Sequence, residues 1–264
     1  MIKFIASDID GTLLQHGAKE LKPRLFELIR ELKECGIYFA AASGRQYHSL
    51  YDLFEPVQNE ISYITENGSL CLHDGKVISK GLIDRDLGLR IFNKVREYDK
   101  CSCMLSCESK IYTDSKDSGF LSVIRNDLNY DIEVVDDLRN IEKDFLKIAI
   151  YDENGTKEIE SCLNEYFDGE IKIVTSGNFW VDFIAPNANK ATGLAAMLSH
   201  FGITSKECVA FGDQYNDVEM LQFAGTSYAM SGAAPGISYY STYVTDSVEE
   251  VLEDILANAR LTNI

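Results

Sequence analysis

Two short apolar runs with an amphipathic helix between them constrain this chain more than any other feature. The first, Ile2-Lys3-Phe4-Ile5-Ala6-Ser7, has the length and composition of a strand and is bounded by a turn signal at Gly11. Leu25, Leu28, Ile29 and Leu32 then recur at i, i+3, i+4 and i+7, a helix that begins near Pro23 and stops at Gly36. Ile37-Tyr38-Phe39-Ala40-Ala41-Ala42 reads as a buried second strand. Strand, helix, strand in this order is a right-handed parallel βαβ unit. Both strand ends therefore fall on one edge of one sheet, the edge where open α/β sheets place their ligands. Asp8 and Asp10 mark the first end, with Gly11 for a tight turn and the Thr12 hydroxyl beside them; Ser43-Gly44-Arg45 marks the second.

Further along, a helical stretch around Tyr47 to Phe54 leads to a third strand, Tyr63-Ile64-Thr65, closed by Glu66-Asn67-Gly68. Leu70-Cys71-Leu72 and Val77-Ile78 flank an Asp74-Gly75 hairpin signal. From about Leu82 the texture changes. Helices at Leu87–Tyr98 and Gly119–Leu128 alternate with strand-like pieces at Ser102–Leu105, Ile132–Val135, Phe145–Tyr151, Ile171–Val174 and Trp180–Ile184. Pro186-Asn187-Ala188-Asn189-Lys190 marks the return to the first texture. A helix with Leu194, Met197, Leu198 and Phe201 follows, then a buried strand, Cys208–Phe211, that runs into Gly212-Asp213-Gln214-Tyr215-Asn216-Asp217. Short strands at Ser227–Met230 and Tyr243–Thr245 and a helix over Val248–Leu261 complete the pattern. The expected fold is α/β, a Rossmann-like parallel-sheet core formed by residues 1–81 and 186–264 with a second α/β domain, 82–185, inserted into it.

Composition narrows the function. A formal net charge of −17 argues against nucleic acid as a partner, because phosphate-backbone binding needs a basic face. Any anion site must be local, built from a metal, a few cations and backbone N–H groups. No run approaches the eighteen or so apolar residues of a membrane span, and no basic-then-apolar leader follows Met1, so no membrane partner and a cytoplasmic location are expected. Seven scattered cysteines fit reduced thiols better than a disulfide framework. The cluster Cys101, Cys103 and Cys107 lacks Cys-x-x-Cys spacing and a fourth ligand, so packing is expected rather than zinc. The oligomeric state is left open.

Polar groups recur at the strand ends: Asp8/Asp10, Ser43, Lys190 and Asp213/Asn216/Asp217. A carboxylate can attack phosphorus and form an acyl phosphate, splitting hydrolysis into two easier displacements. Anion approaching anion needs charge compensation, and Mg²⁺ on Asp8, Asp213 and a backbone carbonyl supplies it while leaving places for water and phosphate. Lys190 and Ser43 would hold the phosphate oxygens as charge moves onto them. Asp10 could protonate the leaving oxygen and then deprotonate the attacking water. Taken singly, each group has a plainer reading. Asp-x-Asp-Gly also opens calcium loops, Lys190 could be a solvated helix-start lysine, Asn216 or Asp217 could cap a helix, and His16, His48, His73 and His200 read as surface or partly buried residues.

Asp8-Ile9-Asp10-Gly11-Thr12-Leu13-Leu14, Ser43-Gly44-Arg45, Lys190 and Gly212-Asp213-Gln214-Tyr215-Asn216-Asp217, in that order and with an α/β insert between the second and third, resemble the four motifs of the haloacid dehalogenase superfamily. Within it the chain is similar, nearly end to end, to the Cof-like phosphatases with a type IIB cap. The resemblance implies that Asp8 is the nucleophile and Asp10 the general acid/base, whose main-chain carbonyl also ligates Mg²⁺. It implies that Asp213 is the acidic metal ligand and that Ser43 and Lys190 hold the phosphoryl group, with Gly44, Arg45 and Asn216 near it. Asp217 is implied to orient Lys190 or a metal-bound water. Because superfamily dehalogenases lack the second aspartate, Asp10 implies phosphoryl transfer. The implied activity is hydrolysis of small phosphorylated metabolites, sugar phosphates or phosphorylated cofactors, beneath a mobile cap that contacts the non-phosphate half. The alternatives are a phosphomutase on the same scaffold and a non-catalytic phosphate-sensing or partner-binding module. Asn189 before Lys190, Ser231-Gly232-Ala233-Ala234 and Ser69 depart from the usual pattern without removing a catalytic group.

Overall fold

The computed structural model describes residues 1–128, 130–176 and 178–262. Strand β1 (Phe4–Ser7) is followed by helix α1 (Pro23–Glu34) and strand β2 (Tyr38–Ala42), the order that the apolar pattern requires. The chain continues through α2 (Tyr47–Leu53), β3 (Ser62–Thr65), β4 (Leu70–His73) and β5 (Lys76–Lys80). Asp74 and Gly75 both take positive φ between the last two strands, as the Asp-Gly signal predicts. Next come α3 (Arg85–Val95), β6 (Ser102–Ser106), β7 (Ile111–Thr113), α4 (Ser118–Ser122) and β8 (Ile132–Val134). They are followed by β9 (Lys147–Tyr151), α5 (Lys157–Phe167), β10 (Lys172–Ser176) and β11 (Trp180–Ile184). The remaining elements are α6 (Lys190–Phe201), β12 (Cys208–Gly212), α7 (Val218–Phe223), β13 (Thr226–Met230), β14 (Tyr243–Thr245) and α8 (Val248–Thr262).

Two compact units result, Met1–Ser79 with Asn189–Ile264, and Lys80–Ala188. The first holds an eight-stranded sheet in the order β14-β13-β12-β1-β2-β3-β4-β5. Pairing is parallel from β14 to β3 and antiparallel between β3 and β4. Alternate side chains of each strand point to opposite faces. Ile5, Phe39, Val209 and Phe211 join α1 and α8 through Leu25, Leu28, Ile29, Leu32 and Leu252 on one face. Phe4, Ala6, Ala40 and Ala210 meet α6 and α7 through Leu194, Met197, Leu198 and Met220 on the other. A sheet covered on both faces has no polar face to alternate with, which is why its strands read as unbroken apolar runs. The sheet is built outward from β1: β2 and β3 go to one side, and β12 returns on the other. This reversal opens a crevice at the carboxyl ends of β1 and β12.

The second unit holds a six-stranded sheet in the order β10-β11-β9-β6-β7-β8. All its neighbours are antiparallel except β7 and β8. Cys103, Leu105, Ile148, Ile150, Val181 and Phe183 bury one face against α3 and α5; Cys101 packs against the same cluster and Cys107 lies within it. The opposite face packs Met104, Ile111 and Ala149 against Phe120 and Ile124. Several expectations are corrected here. The helix read over Gly119–Leu128 is one short α-helical turn, α4, followed by a π-helical turn over residues 123–127. Strand β7 escaped the pattern because three residues carry too little alternation to register. Helix α3 starts two residues earlier than its apolar stripe, where Asp84 accepts the N–H groups of Asp86 and Leu87. Among the described residues no helix is long and apolar enough to cross a membrane.

Candidate active site

Asp8 is the first residue past β1, and Asp213 the first past β12. The Asp8 N–H still donates to the Phe211 carbonyl at 3.0 Å, so the parallel ladder extends to Asp8 itself. The chain then doubles back: Leu14 N–H donates to Ile9 and Gly11 N–H to Leu14. Gly11 sits in this turn at φ 90°, directly against the carboxylate of Asp213. A Cβ there would stand 2.1 Å from Asp213 Oδ2, so only glycine fits. Thr12 Oγ1 donates to Asp213 Oδ1 at 3.2 Å and Gln214 Nε2 to Oδ2 at 3.1 Å.

Lys190 is the first residue of α6. Its helix is capped by Asn189, whose Oδ1 accepts the Thr192 N–H while Thr192 Oγ1 accepts the Asn189 N–H. The asparagine that departs from the usual pattern therefore does a cap's work. The Lys190 side chain is completely buried and donates to Asp8 Oδ1 at 2.5 Å and Asp217 Oδ1 at 2.6 Å. Asp217 Oδ2 accepts the backbone N–H groups of Asp213 and Gln214, each at 2.9 Å. Asp217 thus holds both the lysine and the loop that carries Asp213. Burial and the neighbouring Asp217 push the Asp8 carboxyl well above the usual carboxylate range, and burial with Asp217 raises Asp213 too. Burial alone would discharge Lys190, but the carboxylates of Asp217 and Asp8 outweigh it and the ammonium is held above its ordinary range.

Ser43 follows β2, and its hydroxyl accepts the Arg45 N–H at 3.1 Å. The Arg45 guanidinium grips Asp10 with two bonds, Nε to Oδ2 at 2.8 Å and Nη2 to Oδ1 at 2.6 Å. Asn216 Nδ2 donates to Asn67 Oδ1 at 3.0 Å. Asn67 and Gln214 are the residues at this site that sequence reasoning passed over. The Asn-Gly pair after the third strand was a visible turn signal, but nothing in its spacing tied it to Asn216.

Asp8, Asp213 and Asp217 offer carboxylate oxygens within 4.8 Å of one another, the one such grouping of His, Cys, Asp and Glu among the described residues. The cysteines form none. Asp217 accepts three hydrogen bonds, from Lys190 and two backbone N–H groups, whereas Asp8 and Asp213 accept at most one per oxygen and keep more lone pairs for a cation. Two buried carboxyls whose ionisation is mutually costly, presenting only oxygen, suit a hard divalent ion. The donor set fits one. The arrangement as a whole offers an attacking carboxylate, a second carboxyl on an adjacent turn, and a fixed ammonium.

These features define a class. A haloacid dehalogenase-like hydrolase profile matches residues 5–253, and the chain belongs to that family and is a phosphatase within it. It is 29% identical over 262 residues to the Escherichia coli 5-amino-6-(5-phospho-D-ribitylamino)uracil phosphatase YbjI, covering 96% of this chain and 97% of that one. The Bacillus subtilis 5-amino-6-(5-phospho-D-ribitylamino)uracil phosphatase YitU is 26% identical, with 93% of each covered. A haloacid dehalogenase-like hydrolase from Bacteroides thetaiotaomicron superposes with a TM-score of 0.86 at 25% identity, over 97% of this chain and 100% of the other.

Proposed function

We propose that the protein is a Mg²⁺-dependent phosphatase of small phosphorylated metabolites that works through an aspartyl phosphate on Asp8. The observation that carries this reading is the convergence of Asp8, Lys190 and Asp213 at neighbouring strand ends, with Lys190 Nζ 2.5 Å from Asp8 Oδ1. In the first half-reaction a carboxylate oxygen of Asp8 attacks phosphorus and the ester P–O bond breaks. Asp10, once it has taken up a proton and let go one of its two bonds to Arg45, gives that proton to the departing oxygen. In the second, Asp10 takes a proton from water as that water attacks phosphorus; the bond to Asp8 breaks and orthophosphate leaves. Ser43 and Lys190 hold phosphoryl oxygens, with Gly44 and Asn216 beside them. Asp8, Asp213 and the Asp10 carbonyl would hold Mg²⁺, which would supply the positive charge that lets a carboxylate approach a phosphate.

The inserted unit, Lys80–Ala188, selects the non-phosphate half of the substrate in this reading. The E. coli and B. subtilis relatives name a first candidate, a phosphorylated ribityl chain on a uracil ring. The test is phosphate release over a panel of sugar phosphates, phosphorylated cofactors and that compound, with and without Mg²⁺. Release that requires Mg²⁺ and vanishes in Asp8→Asn is the expected result. Release by Asp8→Asn at the wild-type rate would sink the proposal.

A further inference from the structure

The turn after β3 has no part in the chemistry above, yet its backbone is under unusual constraint. Glu66, Asn67 and Gly68 pass through the left-handed region in succession, at φ 50°, 55° and 93°. Residues with a Cβ avoid that region, and where they are held in it the surrounding structure must impose it. Here it does. The Glu66 N–H donates to the Arg45 carbonyl and the Asn67 N–H to the Ser43 carbonyl, each at 3.0 Å. On the other side Gly68 presses against the residue before Lys190: a Cβ on it would lie 2.1 Å from the Asn189 carbonyl oxygen. The turn is wedged between the Ser43-Gly44-Arg45 loop and the start of α6.

What this holds in place is the amide of Asn67, which is only 3% exposed. Its Oδ1 accepts from Asn216 Nδ2. Its Nδ2 is buried with no partner. Both amide atoms lie close over Gly44, at 3.2 and 3.3 Å from where a Cβ would be. A buried N–H donor without an acceptor is unfavourable, and native proteins rarely keep one unless something else fills the gap. The amide stands between Gly44 and Asn216, the two groups set beside the phosphoryl group in the proposed function.

We infer that Asn67 is a phosphoryl-binding residue, its Nδ2 donating to a non-bridging oxygen of the substrate phosphate while Asn216 fixes the amide from behind. The inference rests on the phosphatase reading of this site. A neutral donor suits the place: it adds a hydrogen bond to the anion without competing with Lys190 for Asp8.

The test compares Asn67→Asp and Asn67→Gly with wild type. The readouts are KM and kcat for p-nitrophenyl phosphate under Mg²⁺, the inhibition constant of orthophosphate, and the melting temperature. Asp keeps the shape, the acceptor for Asn216 and tolerance of the left-handed backbone, but loses the donor. Gly removes the side chain and relieves the backbone. Both variants should weaken orthophosphate binding and raise KM by roughly 10- to 100-fold, the range for a lost hydrogen bond to a charged group. Neither should lower the melting temperature by more than a few degrees. Wild-type orthophosphate binding in either folded variant overturns the role of Asn67. An Asp8→Asn control that keeps full activity overturns the reading of the site itself, so the two failures are distinct.

Discussion

Lys190 Nζ lies 2.5 Å from Asp8 Oδ1 although the two residues are 182 positions apart, and both are buried. One ammonium in that pocket bonds Asp8 and Asp217, and the Asp213 carboxyl lies within 4.8 Å of both of theirs. Ionising all three acids together would leave an excess of negative charge, which a divalent cation would balance.

Removing the ammonium should therefore be costly. Lys190→Met strands buried carboxylates, and breaking one side of a buried pair costs about 3–5 kcal/mol. Urea unfolding should register that loss, and Lys190→Met/Asp217→Asn should recover part of it. A single variant as stable as wild type would show that the pair contributes nothing.

Mg²⁺ should stabilise the free protein. At one hundred times its dissociation constant a ligand adds about 2.7 kcal/mol, worth a shift of several degrees in calorimetry. Asp213→Asn should lose that shift, because Asp217, with three hydrogen bonds to Lys190 and the Asp213 loop, has less to offer a cation in its place.

Gly11→Ala should act on the same readout from another side. Its Cβ must displace the Asp213 carboxylate, and φ 90° penalises any side chain. We expect a stability loss above about 1 kcal/mol together with loss of the Mg²⁺-induced shift.

Arg45 distinguishes two roles. If its bidentate grip on Asp10 is what matters, Arg45→Met lowers kcat by about ten-fold and leaves KM and orthophosphate inhibition nearly unchanged. A rise in KM with kcat intact would instead assign the guanidinium to the phosphate.

The thiols predict a pH dependence. Burial pushes Cys71 and Cys101 up to about 11, and Cys107 and Cys208 to about 12. Unfolded thiols ionise near 8.5. A folded value above the unfolded one contributes stability that is complete below about pH 8.5 and is lost as pH rises toward about 11 to 12. Chemical unfolding should show stability declining across that window. At pH 8 in native buffer the exposed Cys162 should alkylate first, and the buried Cys71, Cys103, Cys107 and Cys208 only on unfolding.

Much of this molecule was legible in its sequence, and the reasons are local. The apolar runs that became β1, β2 and β12 are unbroken because both faces of the sheet are covered. Helix α1 declared itself through Pro23 and the stripe Leu25, Leu28, Ile29, Leu32. The strand Ile111–Thr113 did not, since three residues leave no period to detect, and the helix read over Gly119–Leu128 is an α-helical turn at Ser118–Ser122 running into a π-helical turn. Both are fixed by packing, Ile111 and Phe120 joining Met104 and Ile124 in one buried cluster.

Sequence alone determined which residue types stand at the strand ends and that they share one edge, because period and order depend only on neighbours along the chain. The tertiary structure decided which of them touch. That Arg45 turns to Asp10, that Asp217 grips Lys190 and the Asp213 backbone together, and that Asn67 reaches Asn216 are facts about side chains brought together from distant segments. Burial then changes what those groups are, since a carboxylate or an ammonium removed from water answers to its few remaining partners rather than to solvent.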